Sequence, residues 1–203
     1  MSVQDYLKLV PVIPVLTVER ADDAVPLARA LVAGGLRVLE VTLRTPAALE
    51  AMTLIKVEVP DAVVAAGTVL TAADLSAAAK AGARFAFSPG LADFMLENGP
   101  IPIVPGIATA TELMRGLERG VMTFKFFPAV PAGGPDALKA FGGPFPQVKF
   151  CPTGGVDVAR AKEFLALPNV LCVGGSWIAP QKLIAARNWA AITANAKSAS
   201  ALR

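Results

Sequence analysis

Short apolar runs alternate with Ala/Leu-rich stretches of helical period along the whole chain, with no Ser/Gly linker or low-complexity block between them. That is a βα pattern. It predicts strands over residues 12–16, 38–42, 63–66, 85–87, 101–104, 123–126, 148–151 and 170–173, with helices over 21–32, 47–57, 72–81, 92–96, 109–119, 135–140 and 158–166. Eight βα units joined by right-handed crossovers close most simply into a compact (β/α)8 TIM barrel, one domain over residues 1–203. The competing architecture, an open doubly wound sheet, needs a glycine-rich nucleotide fingerprint after its first strand. Residues 16–20 contain no glycine.

Hydrophobic residues make up 54% of the chain and mean hydropathy is +0.56, which raises the question of a membrane span. The longest uncharged stretch, residues 164–181, is broken by Pro168, Asn169, Gly174, Gly175 and Pro180, so it reads as a turn, a buried strand and a loop. Residues 1–8 carry Asp5 and Lys8 before any apolar run, the wrong order for a secretory signal. A cytoplasmic protein is expected. The net charge of +3 is spread without a Lys/Arg cluster, which argues against a nucleic-acid partner and leaves a small anionic ligand open. Cys151 and Cys172 lie in apolar runs and read as reduced, buried thiols. The chain has no histidine, which removes His-ligated zinc and both Ser-His-Asp and Cys-His chemistry.

In a barrel the active site forms at the carboxyl ends of the strands. Lys125 sits in the apolar run Phe124-Lys125-Phe126-Phe127-Pro128, where a buried ammonium is costly. Strand alternation turns it opposite to Phe124 and Phe126, so if those face the helices the lysine points inward. A neutral amine there is the nucleophile of Schiff-base chemistry, and a structural pairing with a buried carboxylate is the alternative. Lys149 lies near the start of its strand, the face that reads as stability. Glu40 is a second inward charge, either a partner or a base, and Arg44 in the following loop suits a carboxylate clamp as well as a solvated loop position. Thr153-Gly154-Gly155 and Gly174-Gly175-Ser176 end the last two strands, where many barrels bind phosphate through backbone N–H groups.

Six blocks in order resemble the 2-keto-3-deoxy-6-phosphogluconate aldolases, class I aldolases of the Entner-Doudoroff pathway. They are Glu40-Val41-Thr42-Leu43-Arg44-Thr45, Ala66-Gly67-Thr68-Val69-Leu70, Ser88-Pro89-Gly90, Phe124-Lys125-Phe126-Phe127-Pro128-Ala129, Cys151-Pro152-Thr153-Gly154-Gly155 and Gly174-Gly175-Ser176-Trp177. The resemblance implies Lys125 as the Schiff-base lysine and Glu40 as the general acid/base. It implies that Arg44 and Thr68 hold the pyruvate moiety, that Pro89 and Phe127 line the pocket, and that Thr153 bears on stereochemistry. Gly154, Gly155, Gly174, Gly175 and Ser176 match the phosphate site. A homotrimer without cofactor or metal is implied, acting on a phosphorylated 2-keto acid. The related galactonate-type enzymes carry an Asn-containing segment at Leu43-Arg44-Thr45, so Arg44 favours the gluconate type. The chain departs from the family pattern by a shortened segment over residues 96–99 and by Val130-Pro131 where an acidic residue is frequent, near the mouth of the site. Two other roles stay open at this point: cleavage of 4-hydroxy-2-oxoglutarate as the main activity, and a catalytically silent barrel that binds a phosphometabolite.

Overall fold

The computed structural model describes residues 1–97 and 99–202; Asn98, within the shortened segment, and Arg203, at the end of the expected domain, lie outside the described residues. The chain runs α1 (Val3–Leu7), β1 (Val12–Leu16), a 3-10 turn (Ala21–Asp23), α2 (Ala24–Ala33), β2 (Val38–Thr42), α3 (Ala48–Glu58), β3 (Val63–Gly67), α4 (Ala72–Lys80) and β4 (Phe85–Phe87). After a second 3-10 turn (Asp93–Leu96) come β5 (Ile103–Val104), β6 (Gly106–Ile107), α5 (Ala110–Glu118), β7 (Thr123–Phe126), α6 (Gly134–Gly142), β8 (Lys149–Pro152), α7 (Val158–Leu165), β9 (Val173–Gly175), α8 (Gln181–Ala185) and α9 (Trp189–Ser200). Every paired strand is parallel to its neighbour.

The strands form a curled parallel sheet in two hydrogen-bonded pieces, ordered β5-β4-β3-β2-β1-β9 and β6-β7-β8. The single-domain α/β architecture with a curled parallel sheet is as expected, and the strand bounds differ at two junctions. The fifth strand, predicted over 101–104, starts later, at Ile103, and beyond Pro105, which has no N–H to give a ladder, lies the unpredicted β6; β5 pairs with β4, and β6 pairs with β7. At the other junction, isolated bridges join Phe150 of β8 to Val170 ahead of β9, and Thr153 just after β8 to Gly174 of β9. The predicted last strand also moves, from 170–173 to Val173–Gly175, because Ile13 and Pro14 of β1 pair with Gly174 and Gly175.

The helix expected over 21–32 divides into a 3-10 turn and α2, and the one expected over 92–96 is a 3-10 turn only. Helices α1, α8 and α9 were not expected. Each of α4 and α5 begins on a reciprocal cap, Thr71 with Asp74 and Thr109 with Glu112, which satisfies two of the N–H groups a helix start leaves open.

The core lies between sheet and helices and inside the curl. On β7, Phe124 packs toward Gly116 of α5 and the ring of Phe126 meets Phe141 of α6 edge-on, 6.2 Å between centroids. Each such fully buried ring stabilises the fold by about 1.5–3 kcal/mol relative to exposure. With both phenylalanines on the helix side, the alternation of the strand sends Lys125 into the interior. Cys151, paired in register with Lys125, is fully buried, and its sulfur lies 3.5 Å from that of Cys172. Among the described residues, no helix is long and apolar enough to cross a membrane.

Candidate active site

Glu40 and Lys125 meet across the interior from β2 and β7, strands of the two separate pieces of the sheet. Lys125 Nζ lies 2.8 Å from Glu40 Oε1, with the residues only 5% and 1% exposed. Two opposite charges removed from water in this way are held by each other, since either alone would be costly there. The second carboxylate oxygen, Oε2, is buried without a hydrogen-bond partner among the described residues.

Gly67 makes this placement sterically feasible. A Cβ at that position would meet Glu40 Oε1, with Cγ at 2.8 Å and Cδ at 2.9 Å. Above the pair, Thr42 donates its hydroxyl to Leu16 O at 2.8 Å and accepts from Arg44 Nε at 3.1 Å. That contact turns the exposed guanidinium of Arg44 over the end of β2. Thr68 follows at the end of β3 with φ 58°, a left-handed backbone that a β-branched residue adopts only under strain.

Arg44, Phe127, Thr153, Gly154, Gly155, Gly174, Gly175 and Ser176 line one cavity of about 500 Å3. Thr68 and Pro89 do not line it; they sit half-buried just beyond the ends of β3 and β4. Gly154 and Gly155 take φ 104° and 75°, a conformation glycine supplies without penalty. Trp177 folds back over Gly175, where any Cβ would collide with its ring. The buried hydroxyl of Thr153 has no partner among the described residues and closes the inner wall of the cavity. Phe127 joins the two halves of the site, lining the cavity with its ring centroid 5.6 Å from Lys125 Nζ. Lys149, by contrast, donates to Pro168 O at 3.1 Å at the opposite end of the sheet, as its position at a strand start implied.

Residues 3–195 match the model of the KDPG and KHG aldolase family. The chain belongs to this family. It is 52% identical to the 2-dehydro-3-deoxy-phosphogluconate aldolase of Pseudoalteromonas atlantica over 99% of this chain and 95% of that one. It is 50% identical to the KHG/KDPG aldolase of Escherichia coli over 98% of this chain and 94% of that one. Among solved structures it superposes with a TM-score of 0.96 on the KDPG aldolase of Legionella pneumophila, which holds pyruvate captured at low pH as a covalent carbinolamine intermediate, at 48% identity over 99% of both chains. The KDPG aldolase of Zymomonas mobilis with 3-phosphoglycerate matches with a TM-score of 0.92 and 50% identity, over 99% of this chain and 96% of that one.

In this KDPG and KHG aldolase family member, three residues near the site received no role from the sequence. Gly67 admits the glutamate, Thr42 holds Arg44, and Phe87 lies under the lysine, its ring centroid 5.1 Å from Nζ. The available signal for Phe87 was its parity: it is in the short run Phe85-Ala86-Phe87, whose alternate side chains share a face. Among the described residues, no three His, Cys, Asp or Glu side chains gather into a metal-ligating group.

Proposed function

We propose that the chain is a class I aldolase, a cytoplasmic homotrimer of (β/α)8 barrels with one aldolase domain per chain. It cleaves 2-keto-3-deoxy-6-phosphogluconate to pyruvate and glyceraldehyde 3-phosphate. The observation that carries this reading is the buried Lys125–Glu40 pair at 2.8 Å beside a glycine-rich cavity. A proton passed from the ammonium to Glu40 frees the amine, which attacks the C2 carbonyl of the substrate to give a carbinolamine. Glu40 returns that proton to the carbinolamine hydroxyl, which leaves as water, so an iminium forms and Glu40 is again a carboxylate. Glu40, through a water, takes the proton of the C4 hydroxyl, the C3–C4 bond breaks, and its electrons pass into the iminium to give an enamine. Glyceraldehyde 3-phosphate departs. Protonation of the enamine at C3 and hydrolysis release pyruvate and restore the lysine. The iminium is the electron sink, so no step is assigned to a metal.

Arg44 and Thr68 hold the pyruvate carboxylate at the ends of β2 and β3, with Pro89 and Phe127 beside it. Thr153 faces the C4 hydroxyl, and Gly154, Gly155, Gly174, Gly175 and Ser176 receive the phosphate through N–H groups and a hydroxyl. Fixing both ends of the substrate holds the breaking bond over the lysine and carboxylate. The relative in Zymomonas mobilis, whose structure is with 3-phosphoglycerate, supports a phosphorylated ligand. Cleavage of 4-hydroxy-2-oxoglutarate is the second reading, favoured by the KHG/KDPG name of the Escherichia coli relative. The glycine-rich cup favours the phosphorylated substrate as the main one.

The test is intact-mass spectrometry after incubation with pyruvate and sodium borohydride, with peptide mapping of the adduct. A reduced pyruvyl group on Lys125 is expected, and a folded protein that binds pyruvate without forming any adduct would be a silent barrel. Substrate choice is read from kcat/KM on the two 2-keto acids in wild type and Ser176→Ala. Equal values for both substrates, unmoved by the substitution, would remove the phosphate assignment.

A further inference from the structure

The proposed reaction passes through a cationic iminium in a nearly dry interior, where a positive charge needs compensation on every side that water no longer covers. Glu40 covers one side of Lys125 Nζ. On another, Nζ lies over the face of Phe87 at 5.1 Å from the ring centroid, within the range in which an aromatic quadrupole attracts a cation. The ring is not a chance neighbour in a soft pocket. Phe87 is fully buried, set edge-on to Phe85 with centroids 5.3 Å apart, and Phe85 is stacked on Tyr6 of α1 at 5.5 Å and 7° between planes. A column of three rings therefore runs from the N-terminal helix up to the amine. Phe127 also flanks Nζ, but it is half-buried and lines the cavity, where substrate must pass.

We infer that Phe87 is a positioning residue for Lys125: its ring face fixes the amine above it and stabilises the positive charge of the pyruvate iminium. This rests on the Schiff-base reading above. An aliphatic side chain fills comparable space, so packing alone does not require a ring here. What a leucine lacks is the negative π face.

The experiment replaces Phe87 site-specifically with mono-, di- and trifluorinated phenylalanine, which withdraws charge from the ring face while nearly keeping its shape, and adds Phe87→Leu. Circular dichroism and thermal melting confirm that each variant folds. The readout is the fraction of protein trapped as reduced pyruvyl adduct against pyruvate concentration, together with kcat and KM for cleavage. Half-saturating pyruvate should rise with each fluorine, by about 5- to 30-fold over the series, as expected for a desolvated cation–π contact. The leucine variant should fall with the trifluorinated one. If the fluorinated series traps pyruvate as wild type does and only the leucine variant is impaired, Phe87 is a core-packing residue and the inference fails alone. A wild-type protein that forms no adduct overturns the Schiff-base reading and the role of Phe87 together.

Discussion

At the scale of single residues the site is an arrangement of mutual permissions. Glu40 can reach Lys125 because Gly67 offers no Cβ, and the two charges tolerate burial because they meet at 2.8 Å. Lys125→Ala should abolish both the pyruvate adduct and cleavage, measured by borohydride trapping and a coupled pyruvate assay; cleavage at wild-type rate would end the mechanism. Glu40→Gln keeps the shape and removes the proton carrier, so it should retain imine formation while kcat falls about 10²- to 10⁴-fold. Gly67→Ala touches neither catalytic group chemically. Its methyl should push the carboxylate off the amine and cost about 10²-fold in kcat through misplacement alone, with KM less affected. A Gly67→Ala enzyme with normal kcat would show that the glutamate does not need its observed position. Lys125, Glu40 and the terminal glycines were legible in the sequence because charge in an apolar strand and glycine at strand ends are local signals. Gly67 and Phe87 act on a partner from another strand, so their roles become readable only when the register is known.

Elements are legible where period and burial agree. Strand β7 keeps the expected bounds because Phe124 and Phe126 both find helix-side partners, which leaves one face for Lys125. The fifth strand, expected over 101–104, narrows to Ile103–Val104, and β6 went unread because Pro105, which lacks an N–H, sets its two residues apart from the apolar run before it. Helix α9 was missed because its packing face includes the small residues Ala196 and Ala199 as well as Ile192, and small side chains give little periodic hydrophobic signal. Helix α5, correctly read, also provides a pH-dependent stabilisation. Partial burial alone would raise the Glu112 carboxyl, but the N–H groups of Ala108 and Thr109 and the Thr109 hydroxyl outweigh it and hold it below the usual carboxylate range. Since folding lowers this pKa, the stabilisation is complete above the unfolded value and is lost as pH falls through the folded one. Glu112→Ala should cost about 0.5–1 kcal/mol at neutral pH. Denaturant titrations from neutral pH down to about pH 3 should show the wild-type advantage shrinking, and an advantage that persists unchanged in acid would reject the cap as its source.

At the scale of the whole molecule, the first and last units of the chain meet side by side. β9 pairs with β1, and α9 lies along α2, where Thr193 donates to Ala30 O at 3.0 Å. Gly34 is the contact point: a Cβ there would strike the Ala196 methyl, with Thr193 O at 2.8 Å and Lys197 N at 3.0 Å. Its φ of −82° suits any residue, so a substitution at Gly34 tests packing without backbone strain. The same closeness explains why residues far apart in the chain can share one cavity: Arg44 follows β2, while Gly174 to Ser176 are brought beside β1 by the pairing of β9. Gly34→Val should therefore push α9 off α2 and cost about 1–3 kcal/mol through overpacking. That corresponds to a fall in Tm of roughly 2–4 °C per kcal/mol for a chain of this size. The Lys125–Glu40 pair draws on β7 and β2, so kcat at low temperature should stay close to wild type. The variant is checked by thermal melting alongside cleavage assays. A melting curve identical to wild type would mean that α9 does not hold the close approach to α2, and a loss of kcat without loss of stability would place the α2–α9 contact within the catalytic geometry.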